Sequence, residues 1–174
     1  MITVFYISAA VAVISTVMVI TKLNAVHALL YLIVSLMSVA VIFFAFGAPF
    51  VAALELIIYA GAIMVLFVFV IMMLNMGART VEEEKQLITP EIWLGPATLT
   101  LVLLAEFIYL LLDEEGKVSV INGIGPKEVG TSLLGKYLLG VELASMLLLA
   151  GLVGAYHLGR RSPQDREQGL AGRD

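Results

Sequence analysis

Five runs of apolar residues, each about as long as one bilayer crossing, constrain this chain more than any motif it carries. A membrane-spanning helix needs roughly 20 consecutive apolar residues, and the runs fall at about 2–21, 26–47, 51–75, 91–112 and 137–159. A soluble fold could not hide them. Of the 174 residues 61% are apolar and 14% charged, against about 45–50% and about 25% in ordinary soluble domains. The chain therefore reads as an all-α membrane protein of five transmembrane helices over residues 1–160, with the lipid bilayer as its first partner. The charged tail, 161–174, is expected to be disordered.

Local signals set the ends of these runs. The first, Met1 to Thr21, holds no charge and lacks the basic leader of a signal peptide. Gly47-Ala48-Pro49 stops the second, because proline and a flexible glycine turn the chain. Asn75-Met76-Gly77 supplies residues that tolerate a left-handed C-cap after the third. A polar stretch, Arg79 to Thr89, then leads to Thr89-Pro90-Glu91, a cap, a first-turn proline and an acid at the positive end of the fourth helix. A glycine-punctuated hydrophilic loop is expected from Asp113 to Lys136.

Five spans place the termini on opposite sides, and the basic residues choose between them. Lys117, Lys127 and Lys136 fall on one side; Lys22, Arg79, Lys85, Arg160, Arg161, Arg166 and Arg173 fall on the other. Seven against three puts the N-terminus outside and the C-terminus in the cytoplasm. Tyr6, Tyr31, Trp93, Tyr109, Tyr137 and Tyr156 lie near span ends, where amphipathic rings favour the headgroup level.

Catalytic signatures are missing. Without cysteine there is neither iron-sulfur ligation nor a disulfide. His27 and His157 lack the neighbouring ligands a metal needs. No glycine-rich dinucleotide loop and no Walker-type loop is present. The chain is expected to hold no cofactor, no metal and no complete catalytic centre, and to bind no nucleic acid.

What remains is a set of carboxylates inside the spans: Glu55, Glu106 and Glu142. A charge at the bilayer centre costs about 2.5–3.5 kcal/mol on insertion scales, so such acids invite a functional reading. Each lies five or six residues from the outer end of its span, roughly 7–9 Å deep. They either sit protonated or reach headgroup water, or they form a layer of acids coupled to proton movement. In the fifth span Gly140, Ala144, Gly151 and Ala155 share a narrow face while Glu142 projects opposite, which asks for protein neighbours on two sides. In the third, α-helical geometry places Glu55, Tyr59, Ala62, Leu66, Phe69 and Met73 on one face.

The stretch Leu54-Glu55-Leu56-Ile57-Ile58-Tyr59-Ala60-Gly61-Ala62-Ile63-Met64-Val65, continuing to Val70, resembles the third helix of the J-subunit family of bacterial proton-pumping NADH-quinone oxidoreductases. Similar matches run from His27 to Ile33 and from Val141 to Val153, with Gly95-Pro96-Ala97 near the start of the fourth helix. The resemblance covers about residues 1 to 160. It implies a translocase subunit in the membrane arm of respiratory complex I, multi-pass in the bacterial inner membrane, beside subunits A, H, K, L, M and N. FMN, iron-sulfur clusters and quinone would be handled by those and other chains.

The family's third helix carries a π-bulge, here expected near Tyr59 to Val65, whose rearrangement gates a water path. The resemblance thus implies proton-path roles for Glu55, Tyr59 and Glu142, and a hinge at Gly61, Ala62 and Val65. It gives Glu106 no role. A subunit of a related cation/proton antiporter or membrane-bound hydrogenase is the other reading, and a purely structural clamp a third. An independent transporter is disfavoured by the lack of an internal repeat.

Overall fold

A computed structural model describes residues 2–73, 90–112 and 123–159, with the side chains of 90–92 excepted. Among the described residues every regular element is helical, and five helices are long and apolar enough to cross a membrane. They are α1 (Ile2–Thr21), α2 (Ala25–Ala45), a third span over Pro49–Met73, α5 (Pro90–Leu112) and α7 (Leu138–Gly159). The third span is composite: α3 (Pro49–Leu54), a π-helical segment (Glu55–Ile63) and α4 (Met64–Met73). Residues 1–125 form one compact unit and 126–174 a second.

In the first unit α1 packs chiefly on α2, and α5 lies across both. The packing follows a three-four spacing that keeps one stripe of each helix turned inward. On α1 that stripe is Val4, Ser8, Val11 and Ser15; on α5 it includes Leu103, Glu106 and Leu110. Val34 and Val41 of α2 complete the buried core, with Met37, Phe44, Ala45 and Leu99 packed against it. Lipid tails are as apolar as these side chains, so close packing and interhelical hydrogen bonds hold the bundle rather than escape from water. One such bond joins the hydroxyls of Thr16 on α1 and Ser35 on α2 at 2.9 Å.

Several hydroxyls are satisfied within their own helices, as membrane burial demands. Thr98 donates to the carbonyls of Leu94 and Gly95, and Thr100 to that of Pro96, all at 2.8 Å. These bonds cluster where Pro96 interrupts the α5 ladder, since proline offers no N–H. Gly95 permits another close approach. A Cβ there would collide with the Tyr31 hydroxyl and lie 3.1 Å from its ring carbon Cζ, and Tyr31 is buried.

The connections follow local chemistry. Asn24 caps α2 by accepting from the Val26 N–H at 2.9 Å. Gly47, with φ of 74°, turns the chain in the left-handed region before Pro49 opens α3. Its carbonyl accepts from the Ile124 N–H at 2.9 Å.

In the second unit, a helix α6 (Pro126–Leu134) precedes α7. It occupies part of the stretch expected to be loop. Pro126 supplies a preorganised first turn, and Val129 and Leu133 share a face one turn apart, which is enough to build a short helix despite Gly130. The capping residues Asn75 to Gly77 and Thr89, the polar stretch 79–89 and the tail 161–174 lie outside the described residues.

Candidate functional site

The third span carries π geometry, as the family resemblance implies, but over Glu55–Ile63 rather than Tyr59 to Val65. Its composition, Pro49–Met73, is uniformly apolar except for Glu55, and nothing in it forbids a continuous α-helix. Yet nine residues, Glu55–Ile63, are π-helical. In a π-helix the amide of residue i+5, not i+4, closes on carbonyl i. The junction shows it: the Met64 N–H reaches the carbonyls of both Tyr59 and Gly61. The widened pitch also alters which side chains stack. Residues inside the segment no longer follow the α-helical spacing on which the single face from Glu55 through Met73 was expected.

The structure gathers four of the six expected site residues here. Glu55 opens the π segment, half-buried, and its carboxyl makes no hydrogen bond to another described residue. Tyr59 stands within it, its ring exposed. Gly61 follows, and a Cβ added there would sit 3.2 Å from the Leu56 carbonyl oxygen, the oxygen five residues back. Glycine thus fits the place where the widened turn folds closest on itself. Ala62 completes the group. Val65 lies just beyond, in α4, exposed, beside Met64, which is only 2% exposed and is the one buried residue of that helix. Glu142 belongs to α7 in the other compact unit, where Ser145 Oγ donates to its carbonyl at 2.7 Å.

Next to the π segment lies a hollow of about 330 Å³, lined almost wholly by carbon. Leu56 of the segment, Ala52 and Ala53 of α3, Met37 and Phe44 of α2, and Phe107 of α5 contribute to it.

Glu106, to which the resemblance gives no role, belongs to the packed interior. Ser8 Oγ on α1 donates to its Oε2 at 2.7 Å. The signal was present in the inward stripe Leu103, Glu106, Leu110, whereas depth below the span end says nothing about which way a side chain faces. Among the described residues no group of three or more His, Asp or Glu side chains comes together as a metal ion would require, and the chain has no cysteine.

A family model described as NADH-ubiquinone/plastoquinone oxidoreductase chain 6 matches residues 15–158. The chain is similar to NADH-quinone oxidoreductase subunit J of Pseudomonas aeruginosa, 57% identical over 165 residues that cover 94% of this chain and 98% of that one. It is similar to the subunit J of Escherichia coli (strain K12), 53% identical over 156 residues, 90% of this chain and 85% of that one. The subunit J of Buchnera aphidicola subsp. Schizaphis graminum is 52% identical over 157 residues, 90% of this chain and 96% of its own. With matches this close and this long, the chain belongs to the NADH-ubiquinone/plastoquinone oxidoreductase chain 6 family.

Proposed function

We infer that this chain is a J-type membrane-arm subunit of a proton-translocating NADH:quinone oxidoreductase, seated in the bacterial inner membrane with its N-terminus outside and its C-terminus in the cytoplasm. The names of its relatives and its five apolar helices support the reading. The charge asymmetry, seven basic residues against three, supports the orientation. The other membrane subunits A, H, K, L, M and N are its partners, and FMN, iron-sulfur clusters and quinone reside in chains with the thiols and phosphate-binding loops that this one lacks.

Its own contribution is coupling through the third span. The observation that carries this is the π-helical segment Glu55–Ile63, set inside a membrane-spanning helix. Converting one π turn to α rotates everything beyond it by about 100°, the angle of one residue. Gly61, Ala62 and Val65 form the hinge, and α4 turns as a body. Tyr59 gates, and Glu55 and Glu142 lie on the proton path. Such a switch needs two states separated by only a few kcal/mol.

The test is Glu55→Gln, which keeps the shape and removes the exchangeable proton, in the assembled complex in sealed vesicles. Quinone reduction and assembly should persist while proton uptake per NADH oxidised falls. Full pumping by the variant would remove Glu55 from the path.

A further inference from the structure

Glu106 sits in the inward stripe of α5 and is 8% exposed. Its carboxyl is asymmetric. Oε2 accepts the Ser8 hydroxyl hydrogen at 2.7 Å, while Oε1 is buried and bonded to nothing in the described structure. An ionised carboxylate here would be a buried charge held by a single neutral hydroxyl, the arrangement that desolvation penalises most. The helices packed around it offer no countercharge. The other titratable side chains described on them, Tyr6 on α1, His27 and Tyr31 on α2 and Tyr109 on α5, make no hydrogen bond to it.

We propose that Glu106 and Ser8 form a proton-binding site that links α1 to α5, with a resident proton on the Glu106 carboxyl. Once the acid is neutral, the 2.7 Å contact between Ser8 Oγ and Oε2 serves in either direction, hydroxyl to carboxyl or carboxyl to hydroxyl. The proton removes the charge, and the neutral acid then serves as a hydrogen-bonded brace between two membrane helices. The core residues beside it, Val4 and Val11 on α1, Val34 and Val41 on α2, and Leu103 and Leu110 on α5, cannot relay a proton. The proton stays through turnover. This separates Glu106 from Glu55, whose role was inferred from the π segment and is tested by a different variant.

The experiment is infrared difference spectroscopy of the purified assembled complex, wild type against Glu106→Gln. A neutral-carboxyl C=O stretch should be lost in the variant, and in Ser8→Ala it should move to higher frequency as its hydrogen bond is removed. It should stay unchanged between resting and turning-over enzyme. Because a glutamine amide replaces the neutral acid without a charge, Glu106→Gln should assemble and pump at the wild-type level. A carboxylate signature in place of the neutral band, or a band indifferent to Ser8→Ala, would overturn the site. A complex that assembles with Glu106→Gln but no longer pumps would overturn the resident proton in favour of one that exchanges. If Glu106→Gln does not assemble, wild-type complex with ¹³C-labelled glutamate and the Ser8→Ala variant decide the same question by the same band.

Discussion

Gly61→Ala tests the π segment at its tightest point. The new Cβ would stand 3.2 Å from the Leu56 carbonyl oxygen, close enough that the backbone must give by a few tenths of an ångström. Bond-angle deformations of this kind cost about 1 kcal/mol. That crowding belongs to the π form alone, because in an α-helix residue 61 no longer closes on residue 56. A penalty of about 1 kcal/mol on one state raises the population of the other roughly fivefold. Met64 is the reporter, since it is 2% exposed and a one-residue rotation of α4 would carry it out of its seat. The chain has no native cysteine, so a single Met64→Cys is its only thiol, and labelling is read on this chain after it is separated from the other subunits. In the assembled complex a small membrane-permeant thiol reagent should modify this cysteine several times faster when Gly61→Ala is present. Val65→Cys, at a position already 67% exposed, should change little. Equal Met64→Cys labelling rates with glycine, alanine or the bulkier valine at 61 would refute the π-to-α switch.

Gly95→Ala should destabilise the bundle by about 1–3 kcal/mol, the usual range for overpacking, because the buried Tyr31 ring fills the space of a Cβ. Adding Tyr31→Phe, which removes the colliding hydroxyl, should recover part of the loss in thermal unfolding of the detergent-solubilised complex; no recovery would mean that the ring itself is the obstacle. A reporter fused after Arg161 should be active in the cytoplasm, and one placed before Met1 or within 118–130 should read as external. The reverse pattern would overturn the orientation drawn from the basic residues.

The spans were legible because bilayer thickness fixes their length, and their ends were legible where a residue has a special backbone role. Gly47 and Pro49 mark one turn, and Ala25 and Ala45 lie within two residues of the expected limits of the second helix. The extent of the π segment was not legible in the same way. Leu, Ile, Tyr, Ala and Gly occur in α-helices too, and periodicity assessed at 100° per residue assumes the geometry it is meant to find. Helix α6 was hidden by glycine density, although Gly125-Pro126 carried a start signal. The orientation of Glu106 was not legible for a different reason. Counting residues from the span end gives depth, but only the alternating spacing through Leu103 and Leu110 shows that the side chain faces Ser8.

The hollow beside Leu56 has a mechanical meaning. Its 330 Å³ would correspond to about ten molecules of liquid water at roughly 30 Å³ each, yet a carbon lining gives water nothing to bond. Close-packed interiors are nearly incompressible and pass strain onward. A hollow open on one side is the exception, because it gives the helix beside it room to yield. Leu56 can move into this space without meeting Ser8, Val11 or Leu110 of the seam, none of which lines it. The bundle is therefore close-packed in the seam of α1, α2 and α5 and has room to yield at the third span.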